Sequence, residues 1–482
     1  MAKKSQESHP YPSSNSISVY DVMEDMETIH KYLHRGGGLR RQTTLTSFMS
    51  VADCSNSNPK VTQVDPPASR RHPHGIVSSH PSSRSESAEF PSYKRANQAT
   101  GQSGHTTARG CKEASPVKET TGRPKRTCPF YKKLPGTGFT VDAFKYGSIP
   151  GCIGYFLSHF HADHYQGLNR QFEGTLYCSK VTANLVIERL KVAPTSVHAL
   201  TLNIPHFIEG VEVTLLDANH CPGAVLLLFQ LSSGGTYLHT GDFRFCSSML
   251  SYPQLFGLTI NELYLDTTYC DQKYDFPKQA EAISYAMEKS VQVVSKNPNT
   301  LIVCGTYTIG KEKFFQAIAE SLACEVYVSA DKKVILDCLE SNWVSQHVHT
   351  DNSHSSGLHV LPIGKLNFKY LLSYLEQFGD KYTAIVAFKP TGWMYSGSLS
   401  SVRPQTSGPI SIYGIPYSEH SSYTELREFV QYLRPLKIIP TVDNASSKRR
   451  EEMQKNFREW LSVHSTVPAK KQTTLLESFK IK

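Results

Sequence analysis

The stretch Tyr155-Phe156-Leu157-Ser158-His159-Phe160-His161-Ala162-Asp163-His164 decides how the rest of the chain is read. Its apolar start reads as a buried strand, and it runs straight into the pattern His-x-His-x-Asp-His. In extended chain the side chains of residues i and i+2 point the same way, so His159 and His161 can grip one metal ion together. If the chain then turns into a helix, Asp163 and His164 swing toward a second position, and one segment supplies ligands for two neighbouring ions. At about 0.04 per His and 0.05 per Asp, the pattern arises by chance roughly 0.002 times in a chain of this length, which makes accidental surface histidines a poor explanation.

The remaining donors are expected at the ends of later strands, because a site in an α/β fold is assembled from loops at one edge of its sheets. Val213-Thr214-Leu215-Leu216-Asp217-Ala218-Asn219-His220 puts His220 just past a strand, with Cys221-Pro222-Gly223 shaping the loop. His239-Thr240-Gly241-Asp242 does the same for Asp242, whose two carboxylate oxygens can bridge two divalent ions. Either residue alone would be read as a turn or cap residue; after the first motif they complete a set.

Working outward, the chain divides into unlike regions. Residues 1–127 contain six of the 50 aromatic residues and 18 Lys and Arg against 11 Asp and Glu, so +7 of the net +9 lies there. Ser, Pro, Thr, His and Gly dominate this quarter without sustained periodicity, which predicts a disordered N-terminal tail unable to build much core. Two islands within it, 19–33 and 40–49, have enough apolar residues for partner-binding peptides. From Cys128 onward short apolar runs alternate with helical patterns: strands at 155–157, 211–216, 224–231, 236–239, 263–265, 301–304, 410–413 and 437–439, and helices at 277–296, 311–322 and 421–433. This is an α/β fold. A polar stretch near 396–408 reads as a separator between two α/β bodies.

No window approaches 18 apolar residues, so no membrane span is expected, and the opening Met1-Ala2-Lys3-Lys4-Ser5-Gln6-Glu7 lacks the apolar core of a secretory signal. Eleven cysteines without paired spacing fit reduced thiols, and an intracellular enzyme is the expectation.

His159-x-His161-x-Asp163-His164, then His220, then Thr240-Gly241-Asp242, resembles the metallo-β-lactamase superfamily. Leu265-Asp266-Thr267-Thr268-Tyr269 and Tyr417-Ser418-Glu419-His420-Ser421-Ser422 are similar to its β-CASP nucleic-acid-processing branch. The runs 128–139, 304–313 and 414–417 resemble in particular the DNA cross-link repair nucleases, the nitrogen-mustard-sensitivity group related to Apollo and Artemis. The resemblance spans roughly Cys128 to Trp460. It implies a metallo-β-lactamase αββα sandwich with an inserted β-CASP α/β domain: first part 128–276, insert 277–398, return segment 399–465 and C-terminal tail 466–482.

By the same resemblance, His159, His161 and His220 hold one Zn²⁺, Asp163, His164 and His420 hold a second, and Asp242 bridges them. Asp142 takes the place of an orienting carboxylate beside the ligands, and Asp266 a supporting or proton-handling one. Asp163 would position the attacking oxygen; His420 would complete the second ion or protonate the leaving oxygen. Val442, where RNA-processing relatives carry a His, resembles the DNA-acting members. The implied activity is a zinc-dependent 5′→3′ DNA exonuclease of interstrand cross-link repair in the nucleus. An RNA-processing nuclease, a small-molecule hydrolase of the superfamily and an inactive clamp-tethered scaffold are the rival readings.

Three weaker signals complete the expectations. Thr306-Tyr307-Thr308-Ile309-Gly310-Lys311 follows a buried strand and opens a helix, where backbone N–H groups and a Lys can cradle a terminal phosphate; Thr306, Gly310 and Lys311 are the candidates. Residues 42–49 and 472–479 share Gln-Thr-Thr-Leu and resemble sliding-clamp-binding peptides. Arg123-Pro124-Lys125-Arg126 and Lys448-Arg449-Arg450 are basic clusters fit for nuclear import or phosphate contact.

Overall fold

The computed structural model describes residues 127–351, 353–392 and 398–462. Two sheets form a sandwich. The first is all parallel, in the order β1 (Phe139–Val141), β2 (Gly154–Phe156), β3 (Leu176–Ser179), β4 (Val197–Leu200). The second takes β5 (Pro205–Ile208), β6 (Val211–Asp217), β7 (Val225–Leu231) and β8 (Thr236–His239) as an antiparallel run, then adds β9 (Glu262–Leu265) in parallel. Phe139, Val141 and Phe156 of the first sheet meet Val213, Leu215, Val225, Leu227 and Phe229 of the second in one core. The rings of Phe156 and Phe229 are 5.1 Å apart, edge to face.

Period-two alternation sends the other residues of the same strands outward, where helices cover them. Leu226, Leu228, Leu238 and Leu263 join a second core with Leu185 and Val186 of the helix Lys180–Leu190, Phe429 and Val430 of Tyr423–Leu433, and Trp460 of Ser447–Ser462. The layers are therefore αββα, as the family resemblance implies.

The third sheet is the insert. It comprises β10 (Thr300–Thr306), β11 (Val326–Tyr327), β12 (Val348–His349), β13 (Leu358–Pro362), β14 (Ala384–Pro390), β15 (Gln405–Ser407) and β16 (Ile410–Ile415), in the order β12-β11-β13-β10-β14-β16-β15, with only β15 antiparallel. Both faces are covered, so β10 is buried at every position. Ile302 and Cys304 face the helices Gln279–Lys296 and Glu312–Leu322, while Leu301 and Val303 face Phe368–Leu375.

The structure moves one boundary. Residues 399–415 were expected in the return segment, but β16 pairs with β14 and β15 with β16, so the return begins after Ile415. The supposed separator contains the edge strand β15, exposed at all three positions; an edge strand with neither face buried has no apolar alternation to read. After the insert the chain re-enters the sandwich through Tyr423–Leu433 and adds β17 (Lys437–Pro440) beside β9. The expected tail disorder, both partner-binding islands, the clamp-like peptides and the 123–126 cluster lie outside the described residues.

Arg244 pins this return. Its guanidinium is 1% exposed and pairs with both Glu425 oxygens, Nε at 2.7 Å and Nη2 at 2.8 Å. It also donates to the carbonyls of Ser418 (3.0 Å) and Pro277 (3.1 Å), and Phe276 lies 4.8 Å from it. Removing one partner of such a pair leaves a buried charge uncompensated. Arg244→Met is therefore expected to destabilise the protein by about 3–5 kcal/mol in urea unfolding; a loss below about 1 kcal/mol would show that the pair does not anchor the return.

Candidate metal centre

The C-terminal ends of β2, β6, β8 and β9 open toward the same point, which the loop after β10 approaches from the insert and the segment after β16 from the return. From β2 the chain continues through Ser158 to His159 and His161, and the single-turn helix Ala162–Tyr165 carries Asp163 and His164. His220 follows β6 on a loop held by Gly223 at φ +82°, where a Cβ would lie 2.8 Å from Val181. Asp242 follows β8 and Asp266 follows β9; His420 comes from the return segment.

Asp242 is the hub. Its Oδ2 lies 3.2 Å from His164 Nε2, 3.7 Å from His159 Nε2, 3.9 Å from His220 Nε2 and 4.0 Å from His420 Nε2. Three sets of donors that could each hold an ion share it: His159, His161, His220 and Asp242; Asp163, His164 and Asp242; Asp242, Asp266 and His420. The sequence-derived residues are thus brought together, with Asp163 at the rim: its side chain is 80% exposed and Oδ2 stands 3.7 Å from His164 Nε2.

The proton arrangement follows from what surrounds each ring. A carbonyl only accepts, so His220 Nδ1 donates to Glu419 O (2.6 Å) and His161 Nε2 donates to Ile309 O (3.2 Å). Ser158 Oγ gives its one proton to Asp142 Oδ2 (2.8 Å), so His159 Nδ1 must donate to Ser158 Oγ (3.0 Å). His164 Nδ1 donates to Asp142 Oδ2 (2.7 Å) and His420 Nδ1 to Asp266 Oδ2 (2.9 Å). In all five rings the outer nitrogen is satisfied and the inner one faces the centre, the arrangement that orients imidazole as a metal ligand.

The inner nitrogens test the fit. His161 Nδ1 lies 2.9 Å from His159 Nε2 and 3.1 Å from His220 Nε2. Neutral rings with those tautomers would point lone pairs at one another. A tetrahedral ion with bonds of about 2.0–2.1 Å has donor–donor edges of about 3.3 Å, so the three rings are spaced for one cation. The donor set fits.

Burial and charge divide the rings into two classes. Burial pushes His220 down to about 3, His159 well down and His161 down. Burial opposes protonation of His164 and His420 as well, but Asp242 and Asp142 raise His164 well above the ordinary value, and Asp266 and Asp242 raise His420 to about 9. Asp242 is held well below the carboxylate range, since His164 outweighs its burial. The metal-stripped protein should consequently be most stable near pH 6.5 with respect to these five rings. Below that, the unfolded chain binds protons that folded His159, His161 and His220 refuse. Above it, the stabilisation from charged His164 and His420 is lost as pH rises through about 9. Urea midpoints in chelator at pH 5, 6.5 and 9.5 check both limbs; a midpoint rising from 6.5 to 9.5 would contradict the assignment.

One expected feature is absent. Thr306, Gly310 and Lys311 do not form a phosphate cradle: the Gly310 N–H donates to Glu312 Oε2 (2.8 Å), and Lys311 gives its N–H (2.6 Å) and Nζ (2.8 Å) to Glu419. Thr306 and Lys311 are buried. Spacing alone could not reveal a carboxylate arriving from 108 residues away. Four contributors went unassigned at the sequence level, namely Ser158, Arg244, Glu419 and the Ile309 carbonyl. All four sit inside or beside the motifs quoted for their neighbours, which was the available signal. Val442 exchanges backbone hydrogen bonds with the Oγ1 of Thr267, next to Asp266.

A family model described as DNA repair metallo-beta-lactamase matches residues 343–446. The chain is 49% identical over 341 residues to DNA cross-link repair protein SNM1 of Arabidopsis thaliana, covering 70% of each. It is 34% identical over 337 residues to 5′ exonuclease Apollo of Gallus gallus, covering 70% of this chain and 67% of that one. It is 53% identical over 343 residues to DNA cross-link repair 1A protein of Gallus gallus, covering 70% of this chain and 35% of the relative. The chain spans about a third of the length of the vertebrate 1A proteins it matches. Among the described residues no helix is long and apolar enough to cross a membrane.

Proposed function

The chain belongs to the DNA cross-link repair family of metallo-β-lactamase proteins, and from that premise we propose that it is a zinc-dependent nuclease that hydrolyses DNA phosphodiester bonds from a 5′ end inward, in interstrand cross-link repair in the nucleus. The observation that carries this reading is the set of five imidazoles, each with its outer nitrogen held by the protein and its inner nitrogen aimed at the Asp242 centre. When bound there, two Zn²⁺ ions would lower the pKa of a water and neutralise charge on the phosphate.

The protein's own groups supply the rest. His159, His161 and His220 would hold one ion and Asp163 and His164 the second, each with a share of Asp242, while His420 groups with Asp242 and Asp266 beside them. Asp163 is the exposed carboxylate at the mouth, free to accept a proton from the attacking water and turn its lone pair toward phosphorus. His420, 25% exposed and 4.0 Å from Asp242, stands at the open side of the centre, where its Nε2 would either complete the second ion or, left unligated, carry a proton to the leaving oxygen; Asp266 fixes the ring by accepting from Nδ1. Asp142 and Ser158 orient His164 and His159. Residues 42–49 and 472–479 would tether the enzyme to a sliding clamp, and the N-terminal positive charge would assist delivery to DNA.

The test is digestion of matched 5′-phosphorylated and 5′-hydroxyl single-stranded DNA and RNA, with chelator and zinc add-back. Shortening of DNA from the 5′ end, lost in chelator and restored by zinc, is expected. RNA cleaved as fast as DNA would favour the RNA-processing reading instead, and endonucleolytic products alone would overturn the direction.

A further inference from the structure

The metal centre is walled on one side by the insert, through the loop between β10 and the helix Glu312–Leu322. Two backbone carbonyls set two of the rings: Ile309 O, on this loop, accepts from His161, and Glu419 O, on the return segment, accepts from His220. One side chain ties these carbonyls together. Lys311 Nζ lies 2.8 Å from Glu419 Oε2 and its N–H 2.6 Å from Oε1, with both side chains about nineteen-twentieths buried. Tyr307 and Tyr417 flank the ammonium at 5.3 and 5.1 Å.

The backbone is bent to make this contact. Lys311 sits at φ +74°, a region that side-chain-bearing residues rarely occupy without compensation. Gly310 sits at φ +105°, where a Cβ would stand 2.9 Å from Glu419 Oε2. On the far side of the loop Lys332 pairs with Glu312 (3.0 Å) and donates to the carbonyls of Tyr307 and Thr308. A buried ion pair adds little net stability, yet it fixes one arrangement, because separating its partners leaves a charge without compensation.

We propose that the Lys311–Glu419 pair is a latch that couples the inserted α/β domain to the metal centre by fixing the acceptors of His161 and His220. Lys311 is a positioning residue acting through Glu419, and does not contact the substrate phosphate. The inference rests on the metal reading above and adds to it the part of the insert that governs metal affinity.

The experiment compares full-length wild type, Lys311→Met, Lys311→Arg and Gly310→Ala. Zn²⁺ affinity is read by competition with a chromophoric chelator, and kcat and KM on 5′-phosphorylated and 5′-hydroxyl DNA. Gly310→Ala keeps the lysine but drives a methyl group toward Glu419 at a backbone angle that itself strains the loop, so wild-type zinc affinity in this variant overturns the latch even if Lys311→Met does not fold. Lys311→Met and Gly310→Ala are each expected to weaken zinc binding by about 10–100-fold. The loss of kcat should be recovered by added zinc, with KM and the 5′-phosphate preference unchanged, and Lys311→Arg should restore most of the affinity. Wild-type zinc affinity in folded Gly310→Ala, or a 5′-phosphate preference lost in Lys311→Met alone, overturns the latch. A wild-type protein that binds no divalent metal overturns the metal reading itself, and the latch with it.

Discussion

Asp163→Ala is expected to lower kcat by on the order of 10³-fold or more while leaving the fold intact. The two halves of this result have separate causes. The carboxylate is 80% exposed, and its one site contact, His164 Nε2, is 3.7 Å away, so no packing or buried hydrogen bond is lost. Exposed substitutions of this kind change stability by about 0.5 kcal/mol or less, which for a body of this size shifts the melting temperature by about 1–2 °C. Its value to the protein is then chemical: a carboxylate at the mouth of a ring of imidazoles. Near-wild-type cleavage by the purified variant would remove Asp163 from the reaction.

Asp242→Asn should be at least as damaging, through a different route. Asp242 Oδ2 is the point that His159, His164, His220 and His420 all approach within 4.0 Å, and each candidate ion set includes it. An amide keeps the shape but offers one oxygen and no charge. Bound zinc should fall from two ions to at most one per chain, and kcat by on the order of 10³-fold or more. Asp142→Asn gives the contrast, because Asp142 touches the ligand His164 and the orienting hydroxyl of Ser158 and stands outside the donor sets. Its loss should cost about 10–100-fold in metal affinity, recoverable with excess zinc. Two ions retained in Asp242→Asn, with activity within tenfold of wild type, would refute the shared-carboxylate arrangement.

The parts of this protein legible in its sequence are those encoded locally. His159, His161, Asp163 and His164 lie within six residues, and the strands before His220 and Asp242 announce themselves by apolar runs. Strands β6 and β8 accordingly fall where the pattern puts them. What the sequence hid is set by partners distant along the chain. The sheet to which Ile410–Ile415 belongs depends on pairing with Ala384–Pro390, and either sheet would accept such an apolar run. Lys311 at a strand–helix junction looks like a phosphate ligand until Glu419 is placed on it. Arg244, two residues after Asp242, carries no assignment until Glu425 and the carbonyls of Ser418 and Pro277 close around it. Buried polar side chains take their meaning from what satisfies them, and that information is tertiary.

The most direct test of a two-ion DNA nuclease is a zinc titration of the metal-stripped full-length protein, with the rate of 5′-end shortening of 5′-phosphorylated single-stranded DNA as the readout. The account predicts no cleavage without metal and a rate that climbs to a plateau at two equivalents of zinc per chain. Cleavage that persists after stripping, or a protein that takes up two equivalents and cuts no DNA, would contradict it.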